Sequence, residues 1–370
     1  MIDVMLAGGI SMAVALLCTP AFIRFLVRRR YGQFIRDDLT HHHVKRGKPT
    51  MGGAVIIGAT LLGYFGSHAV LLVLGATGWL DVSASPISLS AMLVLFLLAG
   101  LGLIGFFDDF TKISKERSLG LTSRQKLVGQ TLVTVVFALA ALLVTDDQGR
   151  SAASTAVSFV RDTPLDLAFA GPVLGVVLFL LWSNLLITGA SNGVNITDGL
   201  DGLATGASTM VFGAYTVIAM WQAAQSCEIS PVANCYPVRD ALDLAVVAAA
   251  ISGACAGFLW WNAAPAAIIM GDTGSLSLGA ALAGMAILTQ TQLLLVVLGG
   301  LFVIITASVI IQVISFKLTG RRVFRMAPLH HHFELLGWAE ITIVIRFWII
   351  AGICAAAGLG LFYAEWLANL

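Results

Sequence analysis

The stretch ASNGVNITDGLDGLATG, residues 190–206, sets two asparagines and two aspartates, interleaved with glycine, between two long apolar runs. The chain around it is 58% hydrophobic and 11% charged, with a mean hydropathy of +0.92. Those values lie outside the range of a soluble globular domain. Several apolar runs reach the roughly 18 to 20 residues that a helix needs to cross about 30 Å of hydrocarbon. The runs fall at about 4–27, 53–75, 87–107, 127–145, 166–188, 203–222, 241–260, 275–289, 292–316 and 341–368. The eighth is short enough to be tilted or partly re-entrant. The fold class is therefore an all-α polytopic integral membrane protein of about ten transmembrane helices, read as one membrane domain over 1–370.

Lys and Arg concentrate on the cytoplasmic side of membrane proteins. Eighteen of the twenty-one in this chain fall in or beside the connections after spans one, three and nine, leaving Arg150, Arg161 and Arg239 for the other side. This places both termini outside and the even-numbered spans entering from the cytoplasm. The basic cluster follows the first apolar run instead of preceding it, which favours a retained helix over a signal peptide. The same topology collects the polar motifs on the cytoplasmic face: HHHVKRGKPTMGG (41–53), GFFDDFTK (105–112), the 190–206 stretch, NAAPAAIIMGDTGS (262–275) and MAPLHHHFE (326–334). Cys227 and Cys235 share an outward connection, where an oxidising compartment permits a disulfide. Cys18, Cys255 and Cys354 lie in apolar runs as small hydrophobes.

An Asp at the centre of a bilayer costs about 2.5 to 3.5 kcal/mol. Asp108, Asp109, Asp198, Asp201 and Asp272 facing lipid would together cost on the order of 15 kcal/mol, so they are expected to share a polar cleft. Asp108 and Asp109 are adjacent and point about 100° apart on a helix; Asp108 shares a face with Lys112 at i, i+4. A solvated helix end with a salt bridge is the plain alternative for that pair. Asn192, Asn195, Asp198 and Asp201 recur every third residue, a polar stripe if helical, or a capping site between spans five and six. Asp272 sits where span eight opens, beside Thr273 and Ser275, and offers a hard oxygen ligand for Mg²⁺; helix capping alone is the competing account. The histidine triplet His41 to His43 reads as a solvated loop. His330, His331 and His332 lie near Arg321, Arg322 and Arg325, where phosphate or sugar contact is more plausible. Carboxylates, amides and cations at a membrane surface suit phosphoryl transfer between a soluble nucleotide and a membrane lipid.

KRGKPTMGG, GFFDDFTK, SNGVNITDGLDGLA, NAAPAAIIMGDTGSLSLG and PLHHHFELLGW together resemble the phospho-N-acetylmuramoyl-pentapeptide transferase family, in its motif order, from about residue 20 to the last span. The resemblance implies a ten-span fold, often a dimer, in the bacterial cytoplasmic membrane. It implies Mg²⁺-dependent transfer from UDP-N-acetylmuramoyl-pentapeptide to undecaprenyl phosphate with release of UMP, and no nucleic-acid partner. By motif position, Asp108 would deprotonate or orient the lipid phosphate, with Asp109 beside it. Asp272 would hold Mg²⁺, and Lys112 and Lys126 would contact phosphates. Asn192, Asn195, Asp198, Asp201 and Asn262 would line the nucleotide-sugar pocket, and His330 to His332 would add phosphate or sugar contacts. Where the family commonly carries an aromatic residue able to stack on uracil, this chain has Ile269, so apolar contact is expected there instead. Two other readings remain: a related transferase acting on UDP-N-acetylglucosamine, which PTMGG and PLHHHFE argue against, and a secondary transporter, whose carboxylates would mark an ion site near the midplane.

Overall fold

A chain this apolar can satisfy its backbone inside hydrocarbon only by closing hydrogen bonds within helices, and helices dominate the computed structural model. It describes residues 1–29, 31, 48–77, 86–115, 119–227, 229, 231 and 235–368. The triplet His41 to His43, with Lys45, Arg46 and Arg117, lies outside the described residues. The elements are α1 (Ile2–Arg28), α2 (Gly53–Ala76), α3 (Leu89–Ser114), α4 (Ser123–Leu143), β1 (Ala156–Ser158), β2 (Asp162–Asp166), α5 (Pro172–Thr197), α6 (Leu203–Ala224), α7 (Ala241–Asn262), α8 (Gly271–Leu288), α9 (Leu295–Leu298), α10 (Gly300–Thr319), α11 (Leu329–Glu334) and α12 (Glu340–Ala368).

Among the described residues nine helices are long and apolar enough to cross a membrane: α1 to α7, α10 and α12. The chain is thus a multi-pass, all-α membrane protein. The remaining expected span, the eighth, is α8. Its 18 residues include repeated Gly, Ala and Ser, and all from Thr273 to Leu288 are buried. It packs chiefly against α3 and α5, and also α2 and α6, so it is the axis of the bundle.

Local signals start several helices. Ser88 caps α3, its hydroxyl accepting from the Ala91 amide at 3.2 Å. Thr122 and Gln125 form a capping box at the start of α4. Pro172 occupies the first turn of α5.

Two elements depart from the hydropathy reading. The fifth helix begins at Pro172, not 166, because Asp162–Asp166 pairs antiparallel with Ala156–Ser158 in a hairpin that hydropathy does not show. The ninth expected span breaks at Gly299 into the short α9 and the long α10, a glycine pair being a common cause of such a break.

The helices sort the chain into two ends. At one end meet the last turns of α1, α3, α5, α7 and α10 and the starts of α2, α4, α6, α8 and α12. At the other, Arg161 of the hairpin turn pairs with Glu365 of α12 at 2.9 Å and donates to the Cys235 carbonyl. Cys227 and Cys235 are disulfide-bonded there, as their shared connection suggested. α1 runs beside α7 in the same direction, with Trp261 donating to the Leu16 carbonyl, so the start of α1 and the end of α12 both lie at the hairpin end.

Close approach of α3 to α8 rests on Gly105: a Cβ there would lie 2.1 Å from the Asp272 carbonyl oxygen. Gly105→Ala is therefore expected to cost about 1 to 3 kcal/mol as an overpacked contact, read as a lowered thermal midpoint in detergent. An unchanged midpoint would contradict the packing described.

Candidate active site and metal centre

The last turns of α3, the first turn of α4, the last turns of α5 and the start of α8 converge on one cluster of charges. Asp108 and Asp109 diverge as adjacent helical residues must. Asp109 turns toward α8, whose first amides have no side-chain cap of their own. Its two oxygens accept from the Asp272 amide (3.2 Å), the Thr273 amide (3.0 Å) and the Thr273 hydroxyl (2.8 Å). A carboxylate there also complements the positive end of the helix dipole. Gly271 makes room for it: φ is +74° and a Cβ would meet Asp109 Oδ2 at 2.6 Å.

Asp108, fully buried, faces the other way. Its Oδ1 accepts from the Leu121 amide at 2.7 Å. Its Oδ2 lies 2.6 Å from Lys112 Nζ and 3.1 Å from Lys126 Nζ. Asp272 Oδ2 completes a ring, 3.1 Å from Lys112 and 2.6 Å from Lys126. Asn195 donates to Asp272 Oδ1 at 2.9 Å and to Ser275 Oγ at 2.8 Å. Both ammonium groups thus bridge the same two carboxylates.

These residues form a centre that could hold a metal. Asp108, Asp109 and Asp272 each bring an oxygen within 4.8 Å of the other two. Three carboxylates against two lysines leave a formal excess of negative charge. Asp109 accepts from the α8 amides through both oxygens and lies 3.7 Å from Lys112 Nζ, so Asp108 Oδ2 and Asp272 Oδ2 are the better-placed oxygens, and one or two carboxylates completed by phosphate oxygens is the usual Mg²⁺ set.

The other expected site residues divide. The polar stripe does not continue on one helix, because α5 ends at Thr197 and Asp198 to Gly202 turn the chain. Asn195 reaches the cluster. Asn192, one turn earlier, is exposed and donates to the Thr188 carbonyl and, at 3.5 Å, to Gln130. Asp198 sits in the turn with its carboxyl held well above the usual range by burial and by the charges of Asp272 and Asp109. Asp201 accepts from the Ala266 amide at 3.0 Å and lies 3.4 Å from Lys48 Nζ. Its own amide donates to Glu340 of α12. Asn262 is buried with both ends of its amide in use, accepting from Thr205 and donating to the Ile268 carbonyl.

Asp201 and Asn262 therefore shape the 263–270 connection that delivers Asp272. Ile269 is partly buried, and its backbone pairs with Pro49 and Gly52, which docks the PTMGG motif onto the same connection. On α11, His330 is buried with its ring against Gly199. His331 pairs with Glu334, and His332 accepts from the Arg325 amide. The Leu121 amide and Glu340 escape sequence reading. The first carries no side-chain signal; the second shows only as an acidic residue opening the last span.

The cluster falls within a region, residues 91–290, that matches the model of glycosyl transferase family 4. Full-length relatives carry the name phospho-N-acetylmuramoyl-pentapeptide-transferase. One from Kineococcus radiotolerans is 61% identical over 98% of each chain. Another from Pseudarthrobacter chlorophenolicus is 58% identical over the whole of both, and one from Renibacterium salmoninarum 57% identical over 99% of this chain and all of the relative. The chain belongs to this transferase family. The described residues of its five motifs lie at one end of the bundle, where Asp108, Asp109, Lys112, Asn195 and Asp272, from three of the motifs, meet one another and Lys126 of α4.

Asp109→Asn would turn a hydrogen-bond donor toward the α8 amides and leave them under-satisfied, at about 1 to 3 kcal/mol of stability. Combined with Thr273→Val, the loss is expected to be less than additive by more than about 0.5 kcal/mol. Additive losses in thermal or denaturant unfolding would remove Asp109 as the cap of α8.

Proposed function

We propose that this protein transfers phospho-N-acetylmuramoyl-pentapeptide from its UDP-linked precursor to undecaprenyl phosphate, releasing UMP, at the cytoplasmic face of the bacterial inner membrane. The observation that carries the reading is the ring of Lys112 and Lys126 around Asp108 Oδ2 and Asp272 Oδ2. A diphosphate brings concentrated negative charge, and two converging ammonium groups beside a cation-binding pair of carboxylates answer it. At about 4 Å each unit pair contributes roughly 4 kcal/mol at an effective dielectric of 20.

In the proposed step an oxygen of the lipid phosphate attacks the β-phosphorus, the bond to the α-phosphate oxygen breaks, and UMP leaves with the electron pair. Lys112 and Lys126 hold the phosphates in line and relieve their charge as it shifts. Asp108 orients the attacking lipid phosphate or takes its proton, while Asn195 and Ser275 fix the rotamer of Asp272. Mg²⁺, held by Asp272 and Asp108, would neutralise diphosphate charge. Direct attack is favoured over a phospho-enzyme because a phosphate monoester oxygen is already a competent nucleophile needing only orientation and charge relief.

Two observations support the orientation. The described cations of the basic connections, Lys48, Lys112 and Lys126 among them, share the end of the bundle that holds the carboxylates, and the Cys227–Cys235 disulfide is at the other, as an oxidising exterior would permit. An apolar groove also runs between α5 and α9–α10, lined by Leu186, Gly189, Gly193, Val296, Phe302 and Ile310 among others. Such a groove suits the hydrocarbon tail of a lipid substrate.

UMP release by the purified protein is expected to require UDP-N-acetylmuramoyl-pentapeptide, undecaprenyl phosphate and Mg²⁺ together, and to fall on the order of a hundredfold or more in Asp272→Asn. Release from UDP-N-acetylglucosamine alone would reassign the sugar. A burst of UMP without lipid acceptor, equal to the enzyme concentration, would replace direct attack by a covalent route.

A further inference from the structure

Beyond the catalytic cluster, the chain carries an unexplained cationic segment where α10 leaves the bundle. From Gly300 to Phe333 there is no Asp or Glu, and Lys317, Arg321, Arg322 and Arg325 fall within nine residues. Arg325 is engaged, donating to the Leu335 carbonyl at 3.0 Å. Lys317, Arg321 and Arg322 are exposed, and their side chains meet no partner among the described residues.

The backbone beneath them is held in place. Gln312 accepts from the amides of Val323 (3.0 Å) and Phe324 (2.9 Å) and donates back to the Phe324 carbonyl (2.9 Å). Ser315 donates to the Arg321 carbonyl at 2.9 Å. The turn is a fixed platform for its cations, so ordering it costs little when something binds.

Large apolar side chains interleave with these cations: Phe316 is 53%, Leu318 79% and Val323 55% exposed. We propose that the end of α10 and the turn after it form a docking surface for the phosphate headgroup of an anionic membrane phospholipid. The apolar side chains enter the hydrocarbon, while Lys317, Arg321 and Arg322 stand at headgroup level, where each cation contributes to attraction of an anionic leaflet. A soluble anion would make no use of Phe316, Leu318 and Val323. The catalytic lysines belong to a different cluster, on α3 and α4, so this surface has a separate occupant.

The test is native mass spectrometry of delipidated protein in neutral detergent, titrated with phosphatidylglycerol or phosphatidylcholine. The wild type should prefer phosphatidylglycerol, and 0.5 M salt should weaken the preference. The triple variant Lys317→Gln, Arg321→Gln, Arg322→Gln should bind phosphatidylglycerol at least about tenfold more weakly, with phosphatidylcholine unaffected. The charge-keeping variant Lys317→Arg, Arg321→Lys, Arg322→Lys should retain the preference, which separates charge from misfolding. Three results would overturn the proposal: an unchanged preference in the triple Gln variant, an equal loss in Lys115→Gln, Arg124→Gln, or loss of undecaprenyl phosphate binding while phosphatidylglycerol binding persists. The last would assign the surface to the lipid substrate, and none of the three depends on whether UMP is released.

Discussion

A helix that begins inside a membrane protein presents amide groups that neither lipid nor water will take up, and the rest of this structure depends on how α8 meets that demand. α8 is buried from Thr273 onward, and its N-cap residue Met270 makes no side-chain capping hydrogen bond. Asp109 of α3 supplies the acceptors. The contact sets the axial position of α3 against α8, and adjacent residues of a helix cannot face the same way. Asp108 is thereby directed at Lys112, Lys126 and the Leu121 amide, and Asp272 is delivered to the same two lysines. One structural carboxylate positions two that are available for chemistry.

The connections around this contact share the task. Asp201 and Asn262 hold the 263–270 segment from two sides, one through the Ala266 amide and the other through the Ile268 carbonyl. The 48–53 segment pairs with Ile269 and Met270 from a third. Glu340 ties the Asp201 turn to the last helix. Such a web keeps like charges close without letting them relax apart. Removing one member of a buried charge group leaves the others uncompensated, at about 3 to 5 kcal/mol. The cluster is therefore rigid as well as charged, a condition for electrostatic preorganisation.

Much of this was legible in the sequence, for a physical reason: charged residues in so apolar a chain are conspicuous because they are costly. Asp108, Asp109, Lys112 and Asp272 stand out on that ground alone, and the helices follow from hydropathy. Roles were less legible than identities. Nothing in GFFDDFTK says which aspartate caps a distant helix and which is shared by both lysines, because that depends on how α3 rotates against α8. The asparagine and aspartate stripe suggested one polar face; the chain turns at Asp198 and gives its members separate tasks. Hydropathy also runs through the break at Gly299 and overlooks the hairpin before α5, where short polar strands carry no apolar period.

The most direct test of the central claim, that Asp108 and Asp272 together form a divalent-cation seat which Asp109 positions without ligating, is Mn²⁺ binding followed by electron paramagnetic resonance on the purified protein in detergent. One Mn²⁺ per chain is expected, with affinity reduced about tenfold or more in Asp108→Asn and in Asp272→Asn, and unchanged in Glu365→Gln, which lies at the hairpin end. Equal affinity in wild type and Asp272→Asn, or a site lost as readily in Glu365→Gln, would contradict the account.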